Sequence, residues 1–210
     1  MKKSDILKQR FGHTEFREGQ AELIDAVLSG RDVFGVMPTG AGKSVCYQIP
    51  ALMLEGITLV ISPLISLMKD QVNALVQSGI SAAYLNSSLS APQYAEVLRR
   101  AANGEYKILY VAPERLVAAG FLRFAEETTI SMAAVDEAHC VSQWGQDFRP
   151  GYLKIVEFFE RLSRRPVVGA FTATATEEVR EDVIRILRLR NPFVVTTGFD
   201  RKNLYFAVRK

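Results

Sequence analysis

The sequence has 210 residues, of which 48% are hydrophobic and 23% are charged, with a formal net charge of +3. A chain of this length can bury the core of one large domain, and its composition is that of a globular protein, not of a disordered one. A charge balance this small does not by itself indicate a nucleic-acid partner.

Two cysteines, Cys46 and Cys140, lack metal-ligand spacing and are too few for a disulfide framework, which favours a reducing compartment. Met1-Lys2-Lys3 is followed by polar Ser4-Asp5, so the sequence predicts no secretory signal. Its apolar stretches are too short to span a bilayer. The expectation is a cytoplasmic protein without a membrane partner.

Short apolar runs alternate with helix-period segments along almost the whole chain. The predicted strands are 32–36, 58–61, 82–85, 107–111, 132–135, 167–171 and 193–197. The predicted helices are 19–29, 66–77, 92–102, 151–162 and 177–187. Such alternation predicts an α/β fold with a mostly parallel sheet and helices on both faces, in which ligands bind at the carboxyl ends of the strands.

A glycine-rich segment, Thr39-Gly40-Ala41-Gly42-Lys43-Ser44, follows the first predicted strand. Its backbone N–H groups can converge on phosphate oxygens, Lys43 can neutralise the outer phosphates, and the Ser44 hydroxyl can bind Mg²⁺. The full P-loop pattern has a glycine where this chain has Met37. That departure favours a helicase P-loop over a kinase or GTPase one. The alternative is a glycine-rich turn that caps a helix and binds nothing.

A second segment, which is acidic, follows the fifth predicted strand and reads Asp136-Glu137-Ala138-His139. The first carboxylate is a candidate Mg²⁺ ligand, and the second can orient or deprotonate the attacking water. Together with the P-loop, this segment predicts an ATP- and Mg²⁺-dependent P-loop NTPase with Lys43, Asp136, Glu137 and His139 in catalytic positions.

Several further segments match one helicase family in order and spacing. They are 11–20 (FGHTEFREGQ), 62–71 (SPLISLMKDQ), 110–116 (YVAPERL), 142–150 (SQWGQDFRP) and 171–176 (FTATAT). With them, the chain resembles the first RecA-like lobe of a RecQ-family DNA helicase over nearly its whole length. The tryptophan-bearing segment is the most specific of these matches.

The resemblance implies roles for the residues that precede the P-loop. Gln20 would recognise adenine, Arg17 would stack on the base, and His13 would occupy a position where an aromatic residue is expected. Gln20 could instead be a polar residue at the start of a helix, and for His13 a structural role is about as probable as stacking. The resemblance also implies that His139 couples the nucleotide to a DNA-responsive loop, although it could be a core partner. Thr172 and Thr174 would transmit the nucleotide state, or simply end a strand.

Single-stranded DNA is the expected partner of the segment 142–150. Trp144, the one tryptophan of the chain, sits among polar residues, which predicts an exposed position. With Phe148 and Arg149 it offers stacking surfaces and a cation for DNA. Gln146 stands where many members of the family carry histidine, which leaves the tuning of the coupling open.

Five further residues could contact the DNA backbone, or could equally form turns and helix caps. They are Ser62, Ser66, Asn86, Ser87 and Arg115. The basic runs 161–165 and 185–190 are interpreted as solvated helix faces and ends without a role.

We expect residues 1–197 to form the ATP-binding lobe. Residues 198–210 would be a linker and the start of a second lobe, since a new strand pattern begins at Leu204–Val208. The resemblance implies ATP-driven 3′ to 5′ movement on single-stranded and partly duplex DNA in recombination and repair, with little turnover by this lobe alone. Two alternatives stay open. One is a DEAD/DEAH-box RNA helicase, and the other is a non-motor ATP-binding module.

Overall fold

The structure is a computed structural model that describes residues 1–145 and 147–198. In these residues seven parallel strands form one sheet, in the order β3-β4-β2-β5-β6-β1-β7. The strands are β1 (Val33–Val36), β2 (Ile57–Ile61), β3 (Ala82–Leu85), β4 (Ile108–Val111), β5 (Ile130–Val135), β6 (Val167–Thr172) and β7 (Phe193–Thr196).

Eight α-helices and three short 3₁₀ helices accompany the sheet in the described part of the chain. The α-helices are α1 (Lys3–Phe11), α2 (Gln20–Leu28), α3 (Val45–Met53), α4 (Ile65–Gln77), α5 (Ala91–Ala102), α6 (Ala119–Glu127), α7 (Leu153–Arg161) and α8 (Glu177–Ile186). The 3₁₀ helices are Pro113–Arg115, Ala138–Val141 and Pro150–Tyr152.

Alternate residues of the strands point to two separate cores, one on each face of the sheet. Helices α2, α3 and α4 cover one face, where Tyr47 and Phe171 pack with their ring centroids 5.4 Å apart. Helices α5 to α8 cover the other, where Phe121 and Phe158 pack at 5.5 Å. Helix α1 lies outside the first layer and buries Ile6 and Leu7. The predicted α/β architecture is therefore confirmed.

All seven predicted strands and all five predicted helices are present, with ends that differ by one or two residues. Three helices, α1, α3 and α6, are absent from the prediction. Helix α3 is buried around most of its circumference and contains Pro50, so its sequence has no clear apolar stripe. Helix α1 buries only Ile6 and Leu7, so its sequence has no apolar stripe that would mark a helical period.

One interpretation of the basic runs is wrong, because Arg165 has a structural partner. Its guanidinium donates two hydrogen bonds, of 3.0 and 2.6 Å, to the buried carboxylate of Asp32. Asp32 also accepts hydrogen bonds from the backbone N–H groups of Val168 at 2.9 Å and Arg190 at 2.7 Å. This carboxylate thus ties together the amino ends of β1, β6 and β7.

The opposite edge of the sheet collects the residues expected to carry chemistry. The P-loop leaves β1, Ser62 follows β2, Asp136 follows β5, and Thr172 ends β6. Backbone hydrogen bonds continue past the strand ends here, from the Met37 N–H to the Thr172 carbonyl at 3.0 Å and from the Asp136 N–H to the Ile61 carbonyl at 2.9 Å. The site is therefore built directly on the sheet.

The expectations for Gln146, for the segment 199–210 and for the strand Leu204–Val208 lie outside the described residues. Across the residues that are described, no helix is both long enough and apolar enough to cross a membrane.

Candidate nucleotide site and nucleic-acid surface

A cleft of about 430 Å³ opens at the carboxyl edge of the sheet and brings the predicted nucleotide-site residues together. The predicted residues that line it are His13, Arg17, Gln20, Thr39, Gly40, Gly42, Lys43, Ser44, Asp136 and Glu137. Glu15, Leu67 and Gln71 line it as well, although the sequence did not single them out. Two segments about ninety residues apart in the chain thus share one cleft.

The P-loop turns sharply between β1 and α3, and its glycines make the turn possible. Gly40 and Gly42 have φ values of 84° and 81°, in the left-handed region that other residues adopt at a cost. A Cβ at Gly42 would lie 2.6 Å from Nε2 of Gln20, so a side chain has no room there. The Lys43 ammonium donates a hydrogen bond of 3.2 Å to the Met37 carbonyl. Met37 thus contributes a backbone acceptor to the loop, and its side chain is buried.

Gln20 holds the P-loop through all of its amide hydrogen-bonding groups. Nε2 donates to the carbonyls of Ala41 and Gly42, each at 3.1 Å, and Oε1 accepts from the Arg17 N–H at 2.9 Å. The Arg17 guanidinium donates to the Gly40 carbonyl. His13 is exposed at the rim of the same cleft. The residues predicted to recognise the base are therefore adjacent to the phosphate loop.

The acidic segment begins where β5 ends. Burial, followed by the neighbouring carboxylate of Glu137, raises the pKa of Asp136 from 3.8 to about 6, while Lys43 and the Ser62 hydroxyl act in the opposite direction. Glu137 has φ 46°, ψ 47°, a left-handed conformation that is costly for a residue with a side chain and is often found at functional sites. The Tyr152 hydroxyl donates to the Asp136 carbonyl at 2.9 Å, a contact that the sequence pattern did not indicate.

The oxygen donors in the cleft fit a magnesium ion. Mg²⁺ is a hard cation that is usually held by one or two protein oxygens together with phosphate oxygens and water. The Asp136 carboxylate and the Ser44 hydroxyl supply such oxygens, and a buried carboxylate with a raised pKa gains from a nearby cation. The described residues contain no group of three or more His, Cys, Asp or Glu that would form an all-protein site for another metal.

His139 connects the acidic segment with the end of β6. Its Nδ1 lies 2.8 Å from Oγ1 of Thr172 and 3.4 Å from a carboxylate oxygen of Glu137. Thr172 Oγ1 donates in turn to the Thr174 carbonyl at 2.9 Å. The three residues that the resemblance assigned to coupling are thus hydrogen-bonded to one another.

The segment 142–150 packs against the acidic segment but leaves its tryptophan outside. Trp144 is 69% exposed, and Phe148 is partly exposed. A Cβ at Gly145 would collide with the carbonyl oxygen of His139. Arg149 forms an ion pair of 2.6 Å with Asp147 and reaches the Pro63 carbonyl at 3.4 Å. This loop therefore links an exposed aromatic side chain to the carboxyl edge of the sheet.

The candidate backbone-contact residues divide into buried and accessible ones. Ser62 is buried and interacts with the Asp136 carboxylate, and Asn86 is buried and accepts hydrogen bonds from both the N–H and the hydroxyl of Ser88. The contacts of Asn86 favour the turn-forming alternative for its side chain, whereas that of Ser62 is a contact with the acidic segment. Ser66 and Ser87 are exposed. Arg115 lies 5.5 Å from the ring of Tyr94, and its Nε has no hydrogen-bond partner among the described residues.

Comparison with known proteins decides the family. The family described as DEAD/DEAH box helicase matches residues 17–183. The chain belongs to this family. Its sequence is 50% identical over 206 residues to the ATP-dependent DNA helicase RecQ of Bacillus subtilis (strain 168), which covers 98% of this chain and 35% of that protein. It is 42% identical over 218 residues to the ATP-dependent DNA helicase Q1 of Pongo abelii, which covers 100% of this chain and 33% of that protein.

These relatives confirm the resemblance to RecQ helicases that the motifs indicate. The chain spans about a third of the length of the two proteins. Solved structures agree on the fold. The helicase MrfA bound to DNA superposes with a TM-score of 0.73 at 18% identity, over 94% of this chain and 29% of that one. A hypothetical ATP-dependent RNA helicase from Sulfolobus tokodaii gives 0.72 at 22% identity, over 93% and 56%. The RecA-like fold of DEAD/DEAH box helicases is therefore shown.

Proposed function

We propose that this chain is the first nucleotide-binding lobe of an ATP-dependent DNA helicase. The observation that carries the proposal is the convergence of Lys43, Ser44, Asp136 and Glu137 in one cleft next to Gln20. Nucleotide hydrolysis needs phosphate-binding, metal-binding and water-orienting groups, and the chemistry of these four side chains is suited to those roles.

The nucleotide would bind with its base toward Gln20, Arg17 and His13 and its phosphates in the P-loop. The Gln20 amide can donate to and accept from adenine, and the exposed Arg17 and His13 can stack on it. Thr39 through Ser44 would surround the phosphates, with Lys43 turning from the Met37 carbonyl toward their charge.

Ser44 and Asp136 would hold Mg²⁺, and Glu137 would orient and deprotonate the attacking water. When bound, Mg²⁺ would supply positive charge that offsets the charge of the phosphates. Glu137 is suited to its role because β5 and the short helix that follows fix its backbone in a single unusual conformation. His139 lies 3.4 Å from the Glu137 carboxylate and is hydrogen-bonded to Thr172. A movement of Thr172 would therefore shift His139 and change the surroundings of the Glu137 carboxylate.

The DNA-binding surface would comprise Trp144, Phe148, Arg149, Ser87 and Arg115. Trp144 offers an exposed face on which bases can stack, and the Arg115 and Arg149 guanidiniums can donate to phosphates. In this proposal the buried Ser62 and Asn86 shape the surface and do not touch DNA with their side chains.

A second RecA-like lobe would complete the catalytic site of the full-length protein. Arginine residues supplied from outside the P-loop lobe typically accelerate such hydrolysis by about 10³ to 10⁵. We therefore expect the 210-residue chain to bind Mg-nucleotide but to turn it over slowly, and the full-length protein to move 3′ to 5′ on DNA in recombination and repair.

The test is steady-state ATP hydrolysis by the full-length protein and by this chain, each with single-stranded DNA, partly duplex DNA or RNA. We expect strong DNA stimulation of the full-length protein and little turnover by the chain. Stimulation by RNA alone would make it an RNA helicase. Absence of hydrolysis in the full-length protein, with no difference between wild type and Glu137→Gln, would leave a nucleotide-binding module.

A further inference from the structure

A line of polar side chains runs through the otherwise apolar layer beneath the P-loop. Tyr47, on the first turn of α3, is 1% exposed, and its hydroxyl interacts with the hydroxyls of Ser44 and Tyr110. Tyr110, on β4, is equally buried, and its hydroxyl accepts a hydrogen bond of 3.3 Å from Nε2 of Gln48. The same Nε2 lies 3.4 Å from Oε1 of Gln71 on α4. We call Tyr47, Tyr110 and Gln48 the tyrosine bridge.

The position of the bridge argues against a purely space-filling role. Two phenol hydroxyls and an amide in a core cost free energy unless they are hydrogen-bonded to one another, and phenylalanine and leucine would fill the same volume without that cost. At one end the bridge contacts the P-loop serine, and at the other it contacts Gln71, and both of these residues line the nucleotide cleft. The bridge thus connects two elements that line the cleft.

We infer that the tyrosine bridge positions the Ser44 hydroxyl for its metal and ties the P-loop helix to α4 and β4. The inference rests on the proposed nucleotide site. A serine hydroxyl on the first turn of a helix can rotate freely among three staggered conformations. A fixed partner below it selects one of them, so that its oxygen lone pair is directed to the cation without further ordering.

The bridge also connects the phosphate loop to the proposed DNA surface. Tyr110 lies on the strand that leads into the 3₁₀ helix Pro113–Arg115, and Gln71 lies on the helix whose first turn carries Ser66. A shift of Ser44 when metal binds would therefore be transmitted by hydrogen bonds to two elements that carry candidate DNA contacts. Tyr47 and Tyr110 are positioning residues in this scheme, since neither touches the nucleotide.

The experiment is a titration of this chain with a fluorescent ADP analogue, in excess EDTA and at a series of Mg²⁺ concentrations. Tyr47→Phe removes one hydroxyl and keeps the ring that packs on Phe171. We expect the affinity for Mg-nucleotide to fall about three- to ten-fold, the equivalent of one hydrogen bond, and the Mg²⁺ midpoint to rise. The affinity in EDTA should stay unchanged.

Tyr94→Phe is the matched control, because the Tyr94 hydroxyl is buried and has no hydrogen-bond partner among the described residues. It should leave both affinities unchanged. In a Ser44→Ala background, Tyr47→Phe should have no further effect on the Mg²⁺ dependence, because the two residues act on one contact. Circular dichroism melting of each variant would show any loss of folding separately.

Equal loss of affinity with and without Mg²⁺, or no loss in Tyr47→Phe, would overturn the inference. A wild-type chain that fails to bind the nucleotide at any Mg²⁺ concentration would instead overturn the proposed function. The two failures are therefore distinct. A Tyr110→Phe variant adds a second check, since it interrupts the bridge one step further from Ser44 and should give a smaller loss of the same Mg²⁺-dependent kind.

Discussion

The carboxylate of Asp136 should destabilise the folded chain at neutral pH in the absence of metal. Its pKa is raised from 3.8 to about 6, first by burial and then by Glu137. A raised carboxyl pKa means that the folded state binds the proton more tightly than the unfolded state does. Stability is therefore lost as the pH rises from about 4 to about 6, and the full penalty is present above this range. A shift of about two units corresponds to about 3 kcal/mol.

Asp136→Asn removes this penalty while it keeps an oxygen that can accept from Ser62. The shift to about 6 already includes the favourable interactions of the charge with Lys43 and with the Glu137 backbone, so we expect a gain of about 3 kcal/mol at pH 7.5. For a domain of this size the midpoint of thermal unfolding should rise by about 6–12 °C. The gain should fall to roughly half at pH 5 and vanish below about pH 3, because the wild-type side chain is then protonated in both states.

The assay is thermal unfolding in EDTA at several pH values, with Asp70→Asn as a control on an exposed carboxylate of α4. Asp136→Asn should at the same time lose its Mg²⁺-dependent affinity for nucleotide. A variant that is no more stable than wild type at pH 7.5 would refute the reasoning, as would a gain that is the same at pH 4 and pH 7.5. Function and stability would then not compete at this residue.

Three further predictions follow from single contacts. Asp32→Ala leaves the Arg165 guanidinium without its buried carboxylate partner, so the free energy of unfolding in urea should fall by about 3 kcal/mol. Glu157→Ala, which breaks an exposed ion pair, should change it by less than about 1 kcal/mol. Gly145→Ala places a methyl group against a carbonyl oxygen, so the emission maximum of Trp144, the only tryptophan, should shift as the loop moves; an unchanged spectrum would contradict the packing. Gln20→Ala removes the amide proposed to hydrogen-bond adenine, so ADP should bind about ten-fold more weakly relative to inorganic triphosphate, which has no base, measured by competition; equal effects on both would contradict a role in base recognition.

The parallel sheet and its ligand-binding edge could be predicted because their strands are short, apolar and bounded by polar turns. The same reasoning could not find α3, since a helix buried on most sides has no polar face to mark its period. It also misjudged Arg165. A run of arginines is the same in sequence whether it faces water or not, and its partner Asp32 lies more than a hundred residues away in the chain.

In the candidate site, too, residues in contiguous motifs could be predicted from the sequence, whereas contacts between distant parts of the chain could not. Lys43, Ser44, Asp136 and Glu137 could be found because each lies in a contiguous motif whose spacing reports phosphate and metal chemistry. Tyr152, Gln71 and the burial of Ser62 could not, because their contacts depend on which strands are neighbours in the sheet. No short segment of the sequence specifies the order of the strands in the sheet.

The contacts of Gln20 bear on the role in base recognition that its motif predicts. Its motif specifies a donor and an acceptor for a base, but in the fold both groups already have protein partners, at the P-loop carbonyls and at the Arg17 N–H. A base that accepts from the Gln20 amide nitrogen must replace its hydrogen bonds to the P-loop, each worth about 1 kcal/mol net. We therefore expect recognition of the base and release of the phosphate loop to be one coupled step. Since Gln20 bonds to Gly42, directly before Lys43, that release would reach the residue proposed to neutralise the phosphates.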